Sequence, residues 1–156
     1  MKERYQSKVA VFLMLTRNNN TEILMQKRYN TGYMDNLYDM ACSGHLEHGE
    51  SLAHATIREA KEEIGIDVDE KNLKLVALIH PYNDDYLNVF FASNTYEGTP
   101  EIKEPNKCSD LRWFNINELP ENTMPRIKNV LKNMNMGIIY DDYEFSIQKS
   151  YLDKKH

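Results

Sequence analysis

The sequence has few of the features that mark secreted, membrane or nucleic-acid-binding proteins. Its 156 residues include only two cysteines, Cys42 and Cys108, which stand far apart and lack the spacing of a metal-binding pair. This predicts buried, reduced thiols and a cytoplasmic protein. No apolar run approaches the ~18 residues of a membrane span, and the charged N-terminus MKERYQSKVA lacks the apolar region of a signal peptide. We therefore expect no membrane partner.

Positive charge is scarce as well. The chain carries 19 Lys and Arg residues against 24 Asp and Glu residues, which gives a formal net charge of -5. A protein that binds a nucleic acid polymer needs a basic face to displace counterions from the phosphates, so we expect no such partner. No repeat, low-complexity run or flexible linker divides the chain, and we expect a single domain over residues 1–156. A monomer and a homodimer both stay open.

Apolar runs and turn residues predict strands, one central helix, further strands and a late helix. The predicted strands cover residues 9–15, 22–28, 73–79, 86–92 and 111–114, with a short strand entering Gly44 and the late helix over residues 124–134. The first strand is predicted to form a hairpin with the second, and the strand over residues 73–79 with the strand over residues 86–92. This order fits a mixed α/β sandwich with helices on the faces of a sheet.

The tail, residues 137–156, is too apolar for a disordered end, and we expect it to dock on the body or on a second subunit.

The most heavily charged stretch covers residues 44–66 and reads GHLEHGESLAHATIREAKEEIGI. Ser51 predicts the N-cap of a helix, and Gly65 predicts its end. Helical spacing places an apolar stripe at Ala53, Ile57, Ala60 and Ile64. Three carboxylates are predicted to cluster away from that stripe: Glu59, Glu62 and Glu63. The apolar stripe predicts that this helix packs on the core.

Three carboxylates within one helical turn repel one another unless positive charge intervenes. One reading is a solvated acidic surface screened by Arg58 and Lys61. The other is a site for a hard divalent cation, because Mg²⁺ prefers oxygen ligands and binds through carboxylates together with substrate phosphates.

The spacing around these carboxylates resembles the Nudix box at every defining position. The matching residues are Gly44, Glu50, Arg58, Glu59, Ala60, Glu62, Glu63, Gly65 and Ile66. The chain is therefore similar to Nudix hydrolases, which cleave nucleoside diphosphates linked to a variable group. The resemblance implies an α/β/α sandwich with a mixed sheet, in which the box forms a loop, a helix and a loop. It also implies Mg²⁺ as cofactor, with Mn²⁺ as a possible substitute.

The resemblance further implies roles for individual residues. Glu59, Glu62 and Glu63 would hold the metal, and one of them would orient or deprotonate the attacking water. Arg58 would orient these glutamates, and Glu50 would support the cluster. Further ligands are expected from a backbone carbonyl of Ser43 or Gly44 and from a loop acid, with Glu104 the first candidate and Glu101 the second. Many relatives have Pro-Gly-Gly where this chain has Cys42, Ser43 and Gly44, so the geometry of that loop is open.

Candidate substrate-binding residues lie outside the box. Lys27 and Arg28 end the second predicted strand, which in the family borders the pocket, and could reach phosphates. Tyr33, Tyr38 and Tyr82 are candidates for stacking on a base or another variable group. A role in solubility or in turns is the alternative for each of these residues.

Three functions are compatible with these features. The first is hydrolysis of a nucleoside triphosphate, including an oxidised or otherwise non-standard one, to the monophosphate and pyrophosphate. The second is a pyrophosphatase for ADP-ribose or a nucleotide sugar. The third is a nucleotide-binding sensor without turnover, which the presence of all three glutamates disfavours. In each case the partner is a small nucleotide.

Overall fold

The computed structural model describes residues 2–142, and within that range eight strands and two α-helices form the fold. The strands are β1 (Lys8–Arg17), β2 (Glu22–Arg28), β3 (Tyr38–Asp39), β4 (Cys42–His45), β5 (Lys74–Ile79), β6 (Tyr86–Ser93), β7 (Cys108–Asn115) and β8 (Tyr140–Asp141). The helices are α1 (Leu52–Ile64) and α2 (Pro125–Asn135). Neither helix is long and apolar enough to cross a membrane.

Strand β1 is the centre of a mixed sheet. It runs parallel to β6 from Lys8 to Leu15, whereas β4 pairs with it antiparallel along the other edge. Near its end β1 changes partner and pairs with β2 through Thr16 and Arg17. Strand β2 in turn pairs with β3 and β7, while β5 joins β6 to β8. The sheet therefore diverges after β1, with β4 on one branch and β2 on the other.

The apolar run of β1 is continuous because helices cover both faces of the sheet. Ala10, Phe12 and Met14 pack in one buried cluster with α2 residues Ile127 and Val130. The intervening residues of β1 face the opposite side, where α1 covers them. That second side contains Val11, Leu13, Leu15, Ala55, Ala60 and Ile64. This arrangement confirms the predicted α/β/α sandwich with a mixed sheet.

Several boundaries differ from the predictions. The β1–β2 hairpin pairs at its turn end only, because β1 is occupied by β4 and β6 along the rest of its length. The turn itself consists of Asn18, Asn19 and Asn20, all with positive φ, a conformation that asparagine tolerates better than most residues. Strand β7 covers eight residues rather than the predicted four, since it pairs with the whole of β2.

The beginning of the predicted apolar tail pairs with the sheet. Tyr140 and Asp141 form β8 alongside β5, and the Asp141 carboxylate accepts a hydrogen bond from Asn133 of α2 at 2.8 Å. Docking on the body is thus confirmed for this part of the tail. The prediction for the rest of it, including Tyr143 and Phe145, lies outside the described residues.

Helix α1 begins and ends where the sequence predicts. The Ser51 hydroxyl accepts a hydrogen bond from the backbone N–H of His54 at 3.1 Å, and Gly65 closes the helix in the left-handed conformation with φ of 73°. The predicted apolar stripe is only partly correct. Ala60 and Ile64 are buried, but Ala55 and Thr56 are buried in preference to Ala53. The buried face is broader than predicted because α1 packs against β1, β4 and β6 together.

Candidate active site

Helix α1 directs two of its carboxylates towards β4 and not into solvent. The side chain of Glu59 is only 14% exposed, whereas that of Glu62 is 56% exposed. Glu59 approaches the backbone of Gly44 so closely that a side-chain carbon at position 44 would overlap its carboxylate. The glycine therefore allows the helix and β4 to pack together.

The Glu63 carboxylate joins the two branches of the sheet. One of its oxygens accepts the backbone N–H of Ser43 on β4 at 3.2 Å, and the other accepts the Gln26 amide on β2 at 2.9 Å. The Glu59 carboxylate lies beside that of Glu63. Burial and the neighbouring Glu59 carboxylate raise the pKa of Glu63 to about 8. In the absence of a cation, this raised pKa favours the protonated form of Glu63 at neutral pH.

Arg58 ties the carboxylates to the loop that precedes the helix. Its guanidinium donates to both oxygens of Glu50 at 2.8 and 2.9 Å, to Glu59 at 2.7 Å and to Glu62 at 3.3 Å. It also donates to the backbone carbonyl of His45 at 3.1 Å. The Arg58 guanidinium lowers the pKa of Glu50 to about 2. This network holds Glu50 ionised and fixes the start of α1 against β4.

Without divalent ions, the stability of the protein should fall as pH rises from about 5 to 8. The folded state keeps a proton on Glu63 up to a pKa of about 8, whereas the unfolded chain loses it near 4.5. Between these values the folded state binds more protons, so the free energy of unfolding decreases with rising pH. Melting temperatures measured in EDTA at several pH values check this. Glu63→Gln should flatten the slope relative to the wild type, and an identical slope in the two proteins would refute the assigned proton.

The carboxylates of the predicted metal site are present, but they accept hydrogen bonds from other groups of the protein. Within residues 2–142, no three His, Cys, Asp or Glu side chains converge in an arrangement ready to hold a metal ion. Arg58 donates hydrogen bonds to one oxygen of Glu59 and one oxygen of Glu62. Ser43 and Gln26 donate to the two oxygens of Glu63. Even so, the oxygen-only ligand set and the raised pKa of Glu63 fit a hard divalent cation, which would favour the ionised carboxylate.

A cleft of about 930 Å³ brings together most of the predicted site residues. It is lined by the predicted residues Arg28, Tyr33, Ser43, Gly44, Arg58, Glu59, Glu62, Glu63 and Glu104. Glu50 is not part of the lining and reaches the site through Arg58. Of the two loop acids, Glu104 lies at the cleft, while Glu101 pairs with Lys103 at 2.5 Å and lies outside its lining.

Three predicted substrate-binding residues are not part of the cleft lining. Tyr38 packs edge-on against Phe114 at 4.9 Å between ring centroids and donates its hydroxyl proton to Asp110. Burial and Asp110 raise the pKa of Tyr38 to about 12. Lys27 lies over this buried ring, and Tyr82 is exposed on the β5–β6 loop. Tyr38 lies in the core because it belongs to β3, which pairs with β2.

Residues that the sequence analysis did not identify form much of the cleft. Gln26, Asn88 and Arg126 contribute polar side chains, and Phe12 contributes an aromatic surface. Each belongs to an element predicted mainly from its apolar residues, so no local pattern singles these side chains out. Only the register of β1 with β4 and β6, and the packing of α2, bring them together.

Comparisons with known proteins agree with this geometry. A family profile described as NUDIX domain matches residues 6–134. Curated relatives include NAD-capped RNA hydrolases NudC from a strain of Pseudomonas putida, 28% identical over 112 residues, and from Stutzerimonas stutzeri, 26% identical over 111 residues. Each match covers 71% of this chain but 37% of the relative, so the chain spans little more than a third of the length of these relatives.

Solved structures with the same fold include two bacterial proteins. A MutT NUDIX hydrolase from Burkholderia pseudomallei superposes with a TM-score of 0.72 at 21% identity, covering 81% of this chain and 97% of that one. A NUDIX hydrolase from Nitrosomonas europaea gives a TM-score of 0.71 at 19% identity, covering 91% and 81%. At these identities the likeness extends to the fold alone.

Proposed function

The chain belongs to the Nudix family, and on that premise we propose that it is a Mg²⁺-dependent pyrophosphohydrolase that converts a nucleoside triphosphate to the monophosphate and pyrophosphate. The observation that carries the proposal is the position of Glu59, Glu62 and Glu63. Helix α1 presents all three carboxylates to one cleft, with Arg58 hydrogen-bonded to two of them. Such a cluster is costly for stability alone, which favours a role in binding a cation.

The proposed cation would be held by Glu59, Glu62 and Glu63, with a backbone carbonyl of Ser43 or Gly44 and the Glu104 carboxylate as further ligands. When bound, Mg²⁺ or Mn²⁺ supplies charge that neutralises phosphate oxygens and lowers the pKa of a water. Arg58 positions Glu59 and Glu62 through its guanidinium. Glu59 or Glu63 would accept a proton from the attacking water, because both carboxylates lie at the cleft.

One wall of the cleft, which contains Arg28 and Tyr33, supplies groups that bind the rest of the substrate. Arg28 donates to the backbone carbonyl of Tyr33 at 2.8 Å and to the Thr31 hydroxyl at 3.2 Å, which holds its guanidinium at the cleft. From there it can form a charge-assisted hydrogen bond with a substrate phosphate. The Tyr33 ring lies 5.6 Å from the Arg28 guanidinium and offers an aromatic surface at the same wall.

A second candidate function is hydrolysis of a dinucleotide-like pyrophosphate. The names of the curated relatives, NAD-capped RNA hydrolases, favour it, because NAD is itself a dinucleotide joined by a pyrophosphate. ADP-ribose and nucleotide sugars belong to the same chemical class.

Product identity separates the candidates. Nucleoside triphosphates, NAD and ADP-ribose should be incubated with the protein and Mg²⁺, and the products identified by mass spectrometry. Release of inorganic pyrophosphate and a monophosphate supports the first function. Two monophosphates from NAD, or AMP and ribose 5-phosphate from ADP-ribose, without pyrophosphate from any triphosphate, would replace it with the second. Tight binding without turnover of any compound would indicate a sensor.

A further inference from the structure

Two buried polar side chains line the cleft on the sheet face that α2 covers. Asn88 of β6 is 7% exposed, and Arg126 of α2 is 8% exposed. Ala10 of β1 pairs with Asn88 in the parallel ladder and also lines the cleft. Because alanine has a small side chain, it leaves space beside the Asn88 amide. The floor of the cleft therefore offers a small, polar recess.

Arg126 is held in place by packing and charge and has few hydrogen bonds. Its guanidinium lies 4.8 Å from the centroid of the Phe12 ring, which stacks on Phe90 at 4.4 Å. The carboxylate of Asp39 lies 3.7 Å from the Arg126 guanidinium and 3.8 Å from that of Arg28, so it is shared between two cations and lies beyond hydrogen-bonding distance of both. Within residues 2–142, the Arg126 Nε has no hydrogen-bond partner, and Nη2 reaches only the Met124 sulfur at 3.6 Å. Buried donors without acceptors destabilise a protein unless a ligand supplies the acceptors.

The Asn88 amide is similarly available. No hydrogen bond joins it to another group in the described part of the chain, although the residue is more than nine-tenths buried. An amide carries both a donor and an acceptor and can present either by rotation. Arg126, in contrast, carries donors only. The two side chains together can match a planar ligand edge that has at least one strong acceptor.

We propose that Arg126 and Asn88 read the base of the nucleotide substrate, and that Arg126 selects bases with a carbonyl group over bases with an amino group at the same position. The proposal rests on the proposed function in taking the substrate to be a nucleotide. A 6-oxopurine presents a carbonyl oxygen and a ring nitrogen to the guanidinium, as guanine does to arginine in DNA recognition. Adenine would place an N–H group against the Arg126 donors. The Asp39 carboxylate beside the guanidinium would repel a phosphate placed there, whereas a neutral base meets no such repulsion.

A pair of ligands that differ at one position tests the selection directly. Inosine 5′-monophosphate and AMP differ in the purine by a carbonyl in place of an amino group at position 6 and by the hydrogen that the carbonyl form carries on N1. Their affinities should be measured by isothermal titration calorimetry in EDTA, so that the result does not depend on turnover. The wild type should bind the inosine nucleotide about tenfold more tightly or better. Purine riboside 5′-monophosphate, which has neither group, should fall between them.

Variants assign the effect to single residues. Arg126→Lys keeps a charge beside Asp39 but loses the planar fork of donors, so the ratio of the two affinities should approach one. Asn88→Leu preserves the approximate size of the side chain and should weaken both nucleotides while leaving the ratio unchanged. Lys128→Gln removes a charge from an exposed position of the same helix and should change neither value.

Three results would overturn the proposal. The first is equal affinity of the wild type for the two nucleotides, a result that holds even if Arg126→Lys fails to fold. The second is an unchanged ratio in a folded Arg126→Lys protein. The third is an equal loss of affinity for both nucleotides and for inorganic phosphate in that variant, which would make Arg126 a phosphate ligand. Discrimination without turnover of any nucleotide would refute the proposed function and leave this inference intact.

Discussion

Glu63→Gln should lower turnover at saturating Mg²⁺ by about 100- to 1000-fold and leave the fold intact. The substitution removes one negative charge from the cluster but preserves the shape of the side chain. The glutamine carbonyl can still accept the Ser43 N–H, and the Gln26 amide can rotate to accept from the new NH₂ group. The loss should therefore come from cation binding and proton transfer and not from unfolding. Glu62→Gln should show a loss of similar order, since Glu62 belongs to the same proposed ligand set.

Steady-state kinetics together with circular dichroism check this prediction. Glu70→Gln provides the matched control. Glu70 is an exposed acid that follows α1 in the chain, and it contacts His54, which is not part of the cleft lining. The control should retain wild-type turnover. Full activity in both Glu62→Gln and Glu63→Gln would remove the basis of the proposed metal site.

Arg58→Met should lower turnover about 10- to 100-fold and also lower the melting temperature. Arg58 is the shared partner of Glu50, Glu59 and Glu62, so its loss leaves three carboxylates without compensation. The side chain of Glu59 is largely buried, and its carboxylate would turn towards solvent. Addition of Mg²⁺ should recover part of the lost thermal stability, because a cation would then neutralise the same carboxylates.

The control for Arg58→Met is Lys61→Met on the same helix. Lys61 is exposed and forms an ion pair with Asp67 at 3.3 Å, away from the cleft. Its loss should change turnover by less than about twofold, as expected for a surface ion pair. Arg58→Lys should fall between the wild type and Arg58→Met, since lysine retains the charge but cannot bridge several carboxylates with a planar fork. Wild-type turnover in Arg58→Met would contradict a positioning role for this residue.

The helix of the candidate site could be predicted from the sequence because its determinants are local. Ser51 and Gly65 define its ends through contacts within a few residues, and the structure has both. The spacing of Glu59 and Glu63 likewise places them on one helical face. The direction in which that face points is not a local property. The sequence predicts that these carboxylates cluster away from the packed side, whereas Glu59 and Glu63 lie at the junction between α1 and the sheet.

The other half of the cleft could not be predicted for a related reason. Gln26, Asn88 and Arg126 become neighbours of the carboxylates only because β1 pairs with β4 along its middle and with β2 at its end. No pattern within a single element encodes that change of partner. Tyr38 is predicted to be exposed but is buried. Its polar neighbours in the sequence predict an exposed loop, but a two-residue strand pairs with β2 and buries the ring.

A crystal structure with Mn²⁺ and a nucleoside monophosphate would test the central claim most directly. Anomalous scattering identifies the position of Mn²⁺ independently of any assumption about its ligands. The account predicts a peak bounded by the carboxylates of Glu59, Glu62 and Glu63, with the Arg58 guanidinium displaced from at least one of them. A cleft without Mn²⁺, or a peak that none of these three carboxylates contacts, would contradict it.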